Sequence, residues 1–295
     1  DFIYLAFDNC RKRMINGTGL KALWVQELSV VYIVEFAVSS CYTIAEGTAF
    51  LWKFMLRNEK KGTVMKVTFI CHSSFCVELE RHVLVFDYYG DGKLPKAPAD
   101  SRIYFLNSHA HPDHFKKEIL GLRDRCPKAE YVLSRDIRLR PDERKNWIHQ
   151  VKARAEYEIG ELKIRTLRST DQGVAWAVEA EGKRIYHAGD LNWWHWEGED
   201  RAWNNNMAAN YKREVDRLAG QSFDAAFVPL DPRLSGACDW GMKYFLEQVD
   251  AAHVFPMHFW EEYDICRKVK EEKEMQGLLE HYHTIEYQGQ EWTLC

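Results

Sequence analysis

No two of the eight cysteines in this 295-residue chain are spaced as CxxC, which removes a Cys-based zinc ribbon, and a small disulfide scaffold belongs to much shorter chains. Scattered, unpaired cysteines fit a reducing compartment, so a cytoplasmic location is expected. An excess of one charge is also lacking. Forty Lys and Arg stand against 44 Asp and Glu, a net of −4 with His neutral, which excludes a basic nucleic-acid scaffold or a polyacidic tail. The most apolar run, residues 28–42, is interrupted by Glu35 and falls short of the roughly 20 apolar residues of a membrane span. No apolar segment sits behind a basic stretch at the start as in a secretory signal, so no membrane partner is expected. Internal repeats, Pro-rich linkers and low-complexity tracts are missing too. What is present, 46% hydrophobic and 28% charged residues, is ordinary for a globular protein of one large domain or two smaller ones. Two abundances stand out, 12 His and 11 Trp in an aromatic fraction of 14%.

Residues 1–64 show no clean periodicity and begin with Asp, and Glu59-Lys60-Lys61-Gly62-Thr63-Val64 leads directly into Met65. Lys-Gly permits an AAAGGA-like ribosome-binding sequence just before that ATG. Met65 is therefore expected to be the biological start and 1–64 a non-native or poorly ordered extension; a genuine N-terminal extension is the alternative. From 65 to 295 the chain reads as one domain. Runs at 65–71, 75–80 and 83–87 form an opening meander of strands. A strand at 102–108 leads into a helix at about 114–125, and strands at 131–134, 157–159 and 162–167 follow, with a charged segment between 135 and 152. Strands at 174–180 and 184–188 flank Glu181-Gly182, a hairpin turn signal. Then come a helix (202–218), a strand (223–230), a helix (239–249), a strand (252–257), a helix (265–279) and a final hairpin around Gln288-Gly289. Strands first in runs and then alternating with helices predict two packed sheets with helices outside, a four-layer αββα sandwich of the α/β (α+β) class.

The chemistry concentrates at strand ends. Asn107-Ser108-His109-Ala110-His111-Pro112-Asp113-His114 packs three imidazoles and a carboxylate into six positions. His109 and His111 are two apart and point to one side of an extended segment, and Asp113 and His114 fall on the following turn. Imidazole nitrogen with carboxylate oxygen suits Zn, Fe or Mn. The density of the pattern argues against a coincidentally His-rich loop.

HAHPDH resembles the HxHxDH signature of the metallo-β-lactamase-fold hydrolases, and that resemblance implies the αββα sandwich. Asp87, ending the run Val83-Leu84-Val85-Phe86, looks like the family's early Asp that supports the metal-binding loop. Asp190 looks like its metal-bridging Asp and His258 like its last metal ligand. Cys71-His72-Ser73-Ser74-Phe75 is similar to a turn of the ascorbate-6-phosphate lactonase-like branch. The resemblance implies His109 and His111 at one metal, Asp113, His114 and His258 at another, and Asp190 between them, with Zn2+ (one or two ions) or Mn2+ or Fe2+ as cofactor. One departure stands at Ser169-Thr170-Asp171-Gln172-Gly173, where the family has a metal-binding His. Asp171, water or His195 completes the first site there, while an ordinary turn cap explains Asp171 equally well. An Asp ligand shifts preference toward Mn or Fe(II).

Leu191-Asn192-Trp193-Trp194-His195-Trp196 directly follows Asp190. Three Trp in four positions cannot all bury on one face, so Trp193, Trp194 and Trp196 are candidates to line a cleft, with Trp240 and Trp260 joining, or to pack the loop on the body. His187 and His195 lie near Asp190; His195 has the better claim as proton donor and His187 reads equally as structural. The predicted function is metal-assisted hydrolysis of an ester-type bond (lactone, phosphodiester, thioester or amide) in a small-molecule substrate, with Asp113 orienting the nucleophile. A degenerate metal binder of the same fold and a nuclease are the alternatives; the net negative charge counts against nucleic acid. The charge run Arg135-Asp136-Ile137-Arg138-Leu139-Arg140 reads as solvated surface rather than a substrate contact.

Overall fold

The computed structural model describes residues 2–7, 11–16, 20–21, 35–36, 64–94, 96, 100–272, 275 and 277–294. The chain divides into Asp1–Lys61 and Gly62–Cys295. In the first unit β1 (Phe2–Phe7) pairs antiparallel with β2 (Arg11–Asn16), and β3 (Leu20–Lys21) with β4 (Glu35–Phe36). The expectation that residues 1–64 are non-native or poorly ordered falls for the most part outside the described residues.

The second unit is built on two sheets. One has seven strands in the order β10-β9-β8-β7-β6-β5-β19 and the other six in the order β11-β12-β13-β14-β16-β18. The first comprises β5 (Met65–Cys71), β6 (Ser74–Glu78), β7 (His82–Phe86), β8 (Arg102–Asn107), β9 (Glu130–Ser134), β10 (Ile148–Val151) and β19 (Glu291–Leu294). The second comprises β11 (Glu156–Ile159), β12 (Leu162–Arg168), β13 (Val174–Ala180), β14 (Lys183–His187), β16 (Ala225–Pro229) and β18 (Val254–Met257). Two short strands, β15 (Ser222–Phe223) and β17 (Asp250–Ala251), pair parallel with each other. The helices are α1 (Arg201–Val215), α2 (Trp240–Gln248) and α3 (Asp264–Glu271).

Strand alternation sorts the side chains between two cores. In β7, Leu84 and Phe86 join the larger apolar cluster between the sheets, while Val83 and Val85 join a second cluster with Phe115, Ile119 and Leu139 on the opposite face, as a period of two requires. The sheets meet through aromatic rings: Phe75 lies 4.4 Å from Phe227, and Phe227 lies 5.2 Å from Phe255. Helices α1 and α2 cover the six-stranded sheet, with Phe245 stacked on Tyr186 at 4.7 Å. This is the sandwich that the order of elements predicts.

Four local expectations are corrected. The helix foreseen at 114–125 is a 3₁₀ run, Lys117–Asp124, with Ile119 its one buried residue; Gly121 and the want of an apolar stripe leave no reason for regular α turns. The charged segment 135–152 contains a 3₁₀ turn at Pro141–Glu143 and the edge strand β10. The helix expected to reach 279 stops at Glu271. At Gln288-Gly289 there is a turn, with Gly289 at φ 84°, but the strand after it, β19, pairs with the opening strand β5. By contrast Glu181-Gly182 forms its hairpin, both residues at positive φ (52° and 77°), as a two-residue turn of the I′ kind demands.

Candidate metal centre

The parallel pairs β7–β8, β14–β16 and β16–β18 bring their C-terminal ends together, and the polar residues that follow them converge there. Asp87 follows β7; Ser108 and His109 follow β8; Asp190 follows β14; Asp231 follows β16; and His258 follows β18. Two groups of donor atoms result, each with all its atoms within 4.8 Å of one another: His109, His111, Asp171 and Asp190, and His72, Asp113, His114 and His258.

Asp190 joins the two groups. Its Oδ2 lies 3.4 Å from His109 Nε2, and its Oδ1 lies 3.2 Å from His114 Nε2 and 3.4 Å from His258 Nε2. In the first group His111 Nδ1 is 3.4 Å from Asp171 Oδ2 and 2.9 Å from His109 Nε2. These are not the 2.7–2.9 Å separations of charge-assisted hydrogen bonds except at the last pair. Donors at about 2.1 Å from a tetrahedral ion stand about 3.4 Å apart. Burial makes the same case: His72 Nε2, His114 Nε2 and Asp190 Oδ1 are buried without a hydrogen-bond partner among the described residues. Orphaned polar atoms of this kind call for an occupant, and the imidazole and carboxylate set fits a divalent transition metal.

At His109, His114 and His258 the outward Nδ1 is tied down so that Nε2 carries the free lone pair. Asp87, fully buried, accepts from the Ser108 N–H at 2.6 Å, from Ser108 Oγ–H at 2.7 Å and from His114 Nδ1–H at 2.8 Å. Ser108 Oγ in turn accepts from His109 Nδ1–H at 3.0 Å, and Asp231 Oδ2 from His258 Nδ1–H at 3.0 Å. Such partners fix the tautomer and raise ligand basicity. The loop is fastened further: Asp136 accepts from the Ala110 N–H at 2.8 Å, and Asn107 donates to the carbonyls of Tyr88 and His114 at 3.0 and 2.7 Å. Gly173 sits at φ 71°, where a Cβ would come within 1.9 Å of the Ser108 carbonyl oxygen. His72, Asp87, His258 and Trp260 all hold positive φ (48°, 45°, 66° and 55°), the strained backbone that collects at functional sites.

Electrostatics follow from this crowding. Burial first, and then the neighbouring imidazoles, hold His72 and His109 down to about 4 against the pull of the nearby carboxylates. Burial opposes ionisation of Asp190, but His114, His258 and His109 outweigh it and keep the carboxyl well below the usual carboxylate range. His258 is pushed up to about 10, since Asp190 and Asp231 overcome the opposing effect of burial. Asp171 moves upward through burial and the neighbouring Asp190 charge; two carboxylates facing each other favour a cation between them.

Of the residues singled out from the sequence, His109, His111, Asp113, His114, Asp171, Asp190 and His258 all fall in the two groups, and Asp87 beneath them. Thr170 Oγ1 donates to the Asn192 carbonyl at 2.6 Å and accepts from the Asn192 N–H at 3.0 Å, a clasp that sets Asp171 beside Asp190. His195 is not in either group; its ring packs on Trp240 at 4.7 Å. His187 is fully buried, donating from Nε2 to the Ser73 carbonyl at 2.8 Å and accepting the Gly189 N–H at Nδ1, a structural role. Trp194 Nε1 donates to the Asp190 carbonyl at 3.1 Å and its ring lies 5.4 Å from His258, with Trp196 parallel to it at 6.2 Å. Trp193 turns to the helices, under Lys212 Nζ at 4.3 Å. Three residues were not foreseen for the site: His72, visible only as part of a turn; Asp231, which nothing in its spacing marks; and Asp136, hidden in a run that otherwise reads as surface.

The sequence model of the β-lactamase superfamily domain (Lactamase_B_3) matches residues 66–195, whereas no curated protein matches the chain. Among solved structures it is similar to Igni18, a metallo hydrolase from Ignicoccus hospitalis KIN4/I, at 18% identity and a TM-score of 0.56 over 79% of this chain and 99% of that one. A protein from Parabacteroides distasonis ATCC 8503, named as a metal-dependent hydrolase, is similar at 16% identity and a TM-score of 0.54 over 78% and 96%. Residues 66–195, with HAHPDH at the head of the donor groups, thus match the β-lactamase superfamily domain, and the two packed sheets share the fold of these metal-dependent hydrolases.

Proposed function

We propose that this protein is a metal-dependent hydrolase that cleaves an ester-type bond (lactone, phosphodiester, thioester or amide) in a small-molecule substrate. The observation that carries the reading is Asp190, with one carboxylate oxygen turned to each donor group. Zn2+ is the cofactor that the imidazole-rich second group favours, and the extra carboxylate of Asp171 makes Mn2+ or Fe2+ competitive in the first. When bound, such a metal lowers the pKa of water from 15.7 to about 7 and polarises the substrate oxygen. The chain's own residues then hold and orient. His109, His111 and Asp171 present their donors on one side and His114 and His258 on the other. Asp113, with its side chain 27% exposed beside His72 and His114, accepts a hydrogen bond from the attacking water and sets its direction. Trp194 and Trp196 form an apolar wall next to His258, suited to a substrate's ring or chain. His195, half-buried on the same loop, is the side chain there able to pass a proton to the leaving group. The free cysteines 71, 76, 126, 238 and 266 support a reducing, cytoplasmic setting, and no helix among the described residues is long and apolar enough to cross a membrane.

The test is metal content by inductively coupled plasma mass spectrometry together with a panel of lactones, phosphodiesters and thioesters. Two equivalents of metal per chain and a turnover that chelation abolishes are expected. Absence of bound metal, or turnover that survives chelation, would overturn the proposal.

A further inference from the structure

His72 belongs to a turn between β5 and β6 that lies outside the HxHxDH segment, yet it points into the second donor group. Its side chain is 3% exposed, and its Nε2 lies 3.4 Å from Asp113 Oδ2. Neither ring nitrogen has a hydrogen-bond partner among the described residues. A neutral imidazole buried with both nitrogens unpaired is costly, about 1–3 kcal/mol for each unsatisfied group. The backbone is strained as well, with His72 at φ 48°. The ring is held where it is by packing, against Trp260 at 4.0 Å and His258 at 4.3 Å between centroids, and by the His258 N–H donating to the His72 carbonyl at 3.2 Å. Strain, burial and an unpaired nitrogen are thus maintained together at one residue.

We propose that His72 Nε2 is a fifth donor to the second metal position, alongside Asp113, His114, His258 and Asp190, so that the two positions are unequal and the second is the tighter. This rests on the metal-centre reading above. The other role open to His72, donating a hydrogen bond to Asp113, asks for about 2.7–2.9 Å, and the 3.4 Å separation is instead that of two donors sharing one ion. The count of donors follows. The second position has three imidazoles and two carboxylates, and the first has the two imidazoles of His109 and His111 with the two carboxylates of Asp171 and Asp190. More imidazole donors favour tighter binding of late first-row divalent ions. Because Nδ1 of His72 has no acceptor, this ligand is held by packing alone, unlike His114 and His258, whose Nδ1–H groups are held by Asp87 and Asp231.

The experiment uses Co2+ as probe. The full chain, freed of metal, is titrated against a competing chelator to obtain two stepwise dissociation constants, and the visible absorption is followed, which intensifies as the coordination number of Co2+ falls. In His72→Asn, chosen because Asn tolerates the left-handed backbone, the tighter constant weakens by at least about tenfold and the Co2+ absorption of that position intensifies. Asp171→Ala leaves that constant unchanged and weakens the other. His72→Gln serves as a second variant, with circular dichroism confirming the fold. If neither variant folds, wild-type protein loaded with 113Cd and labelled with 15N still decides, since a ligand shows one-bond coupling between 113Cd and His72 Nε2. Unchanged constants and spectra in a folded variant, or no such coupling, overturn the fifth donor while leaving the metal centre intact. Failure of the wild type to bind Co2+ at all overturns both.

Discussion

His109, His114 and His258 each depend on a partner outside the donor groups, and these partners predict graded effects. Asp87→Asn keeps the shape but weakens three hydrogen bonds that fix Ser108, His109 and His114; metal affinity is expected to fall about 10- to 100-fold, read by chelator competition. His111→Ala and Asp190→Ala are expected to abolish metal-dependent hydrolysis while the protein stays folded, and full activity in either would falsify the site assignment. Gly173→Ala places a methyl against the Ser108 carbonyl at a backbone angle that only Gly adopts easily. A loss of more than about 2 kcal/mol in a urea titration is the expected outcome. The candidate donors of HAHPDH were legible because dense imidazole and carboxylate spacing is a chemical signature in itself, and Asp190 and His258 through the resemblance. His72 and Asp231 were not, because a single His in a turn and a single Asp before a proline are indistinguishable from structural residues until the chain is folded around them.

Among the elements, α1 is fastened to the six-stranded sheet by one carboxylate. Glu214, buried in the last turn of α1, accepts from Arg154 Nε at 2.9 Å and from the Arg168 N–H at 3.1 Å. Burial opposes its ionisation, and Arg154 and the Arg168 N–H outweigh it, so the folded pKa lies below the ordinary value of 4.5. A depressed carboxylate pKa contributes stability that is present above the unfolded value and is lost as pH falls through the folded one. Glu214→Gln should therefore destabilise the protein at pH 6 more than at pH 3, measured as the shift in the urea midpoint at each pH. An equal shift at the two values would remove Glu214 from the acid response. Here the sequence was informative about type and less so about ends. The hairpin at Glu181-Gly182 is written in two residues that accept positive φ, while the 3₁₀ run at Lys117–Asp124 has the helix-compatible composition of a true helix but lacks a face to bury.

For the molecule as a whole, the centre sits where both sheets end, drawing donors from β8, β14 and β18 and from the turn after β5. An ion held by both sheets stabilises the folded state by mass action, by about 4 kcal/mol at a thousandfold excess over its dissociation constant. Chelation is thus expected to lower the calorimetric Tm, and re-addition of Zn2+ to restore it; a Tm indifferent to chelator would show that the centre does not join the sheets energetically. Phe227, packed between Phe75 and Phe255, tests the sandwich independently: Phe227→Ala should cost about 3–5 kcal/mol without changing metal affinity in the fraction that remains folded.

The αββα class and the candidate donors of HAHPDH are local properties, carried by element order and by residue types at short spacing, and for that reason they could be read along the chain before it folds. The close of the seven-stranded sheet could not, because β19 reaches back more than two hundred residues to β5, and pairing at that distance leaves no periodic mark near either strand. Nor could the placing of Asp171 beside His111 and Asp190. It depends on Thr170 clasping Asn192 across two loops, so that two carboxylates of like charge are held together by packing. The same holds for His72 and Asp231: only when the strand ends converge do a buried imidazole without partners and a carboxylate beneath His258 acquire anything to act upon.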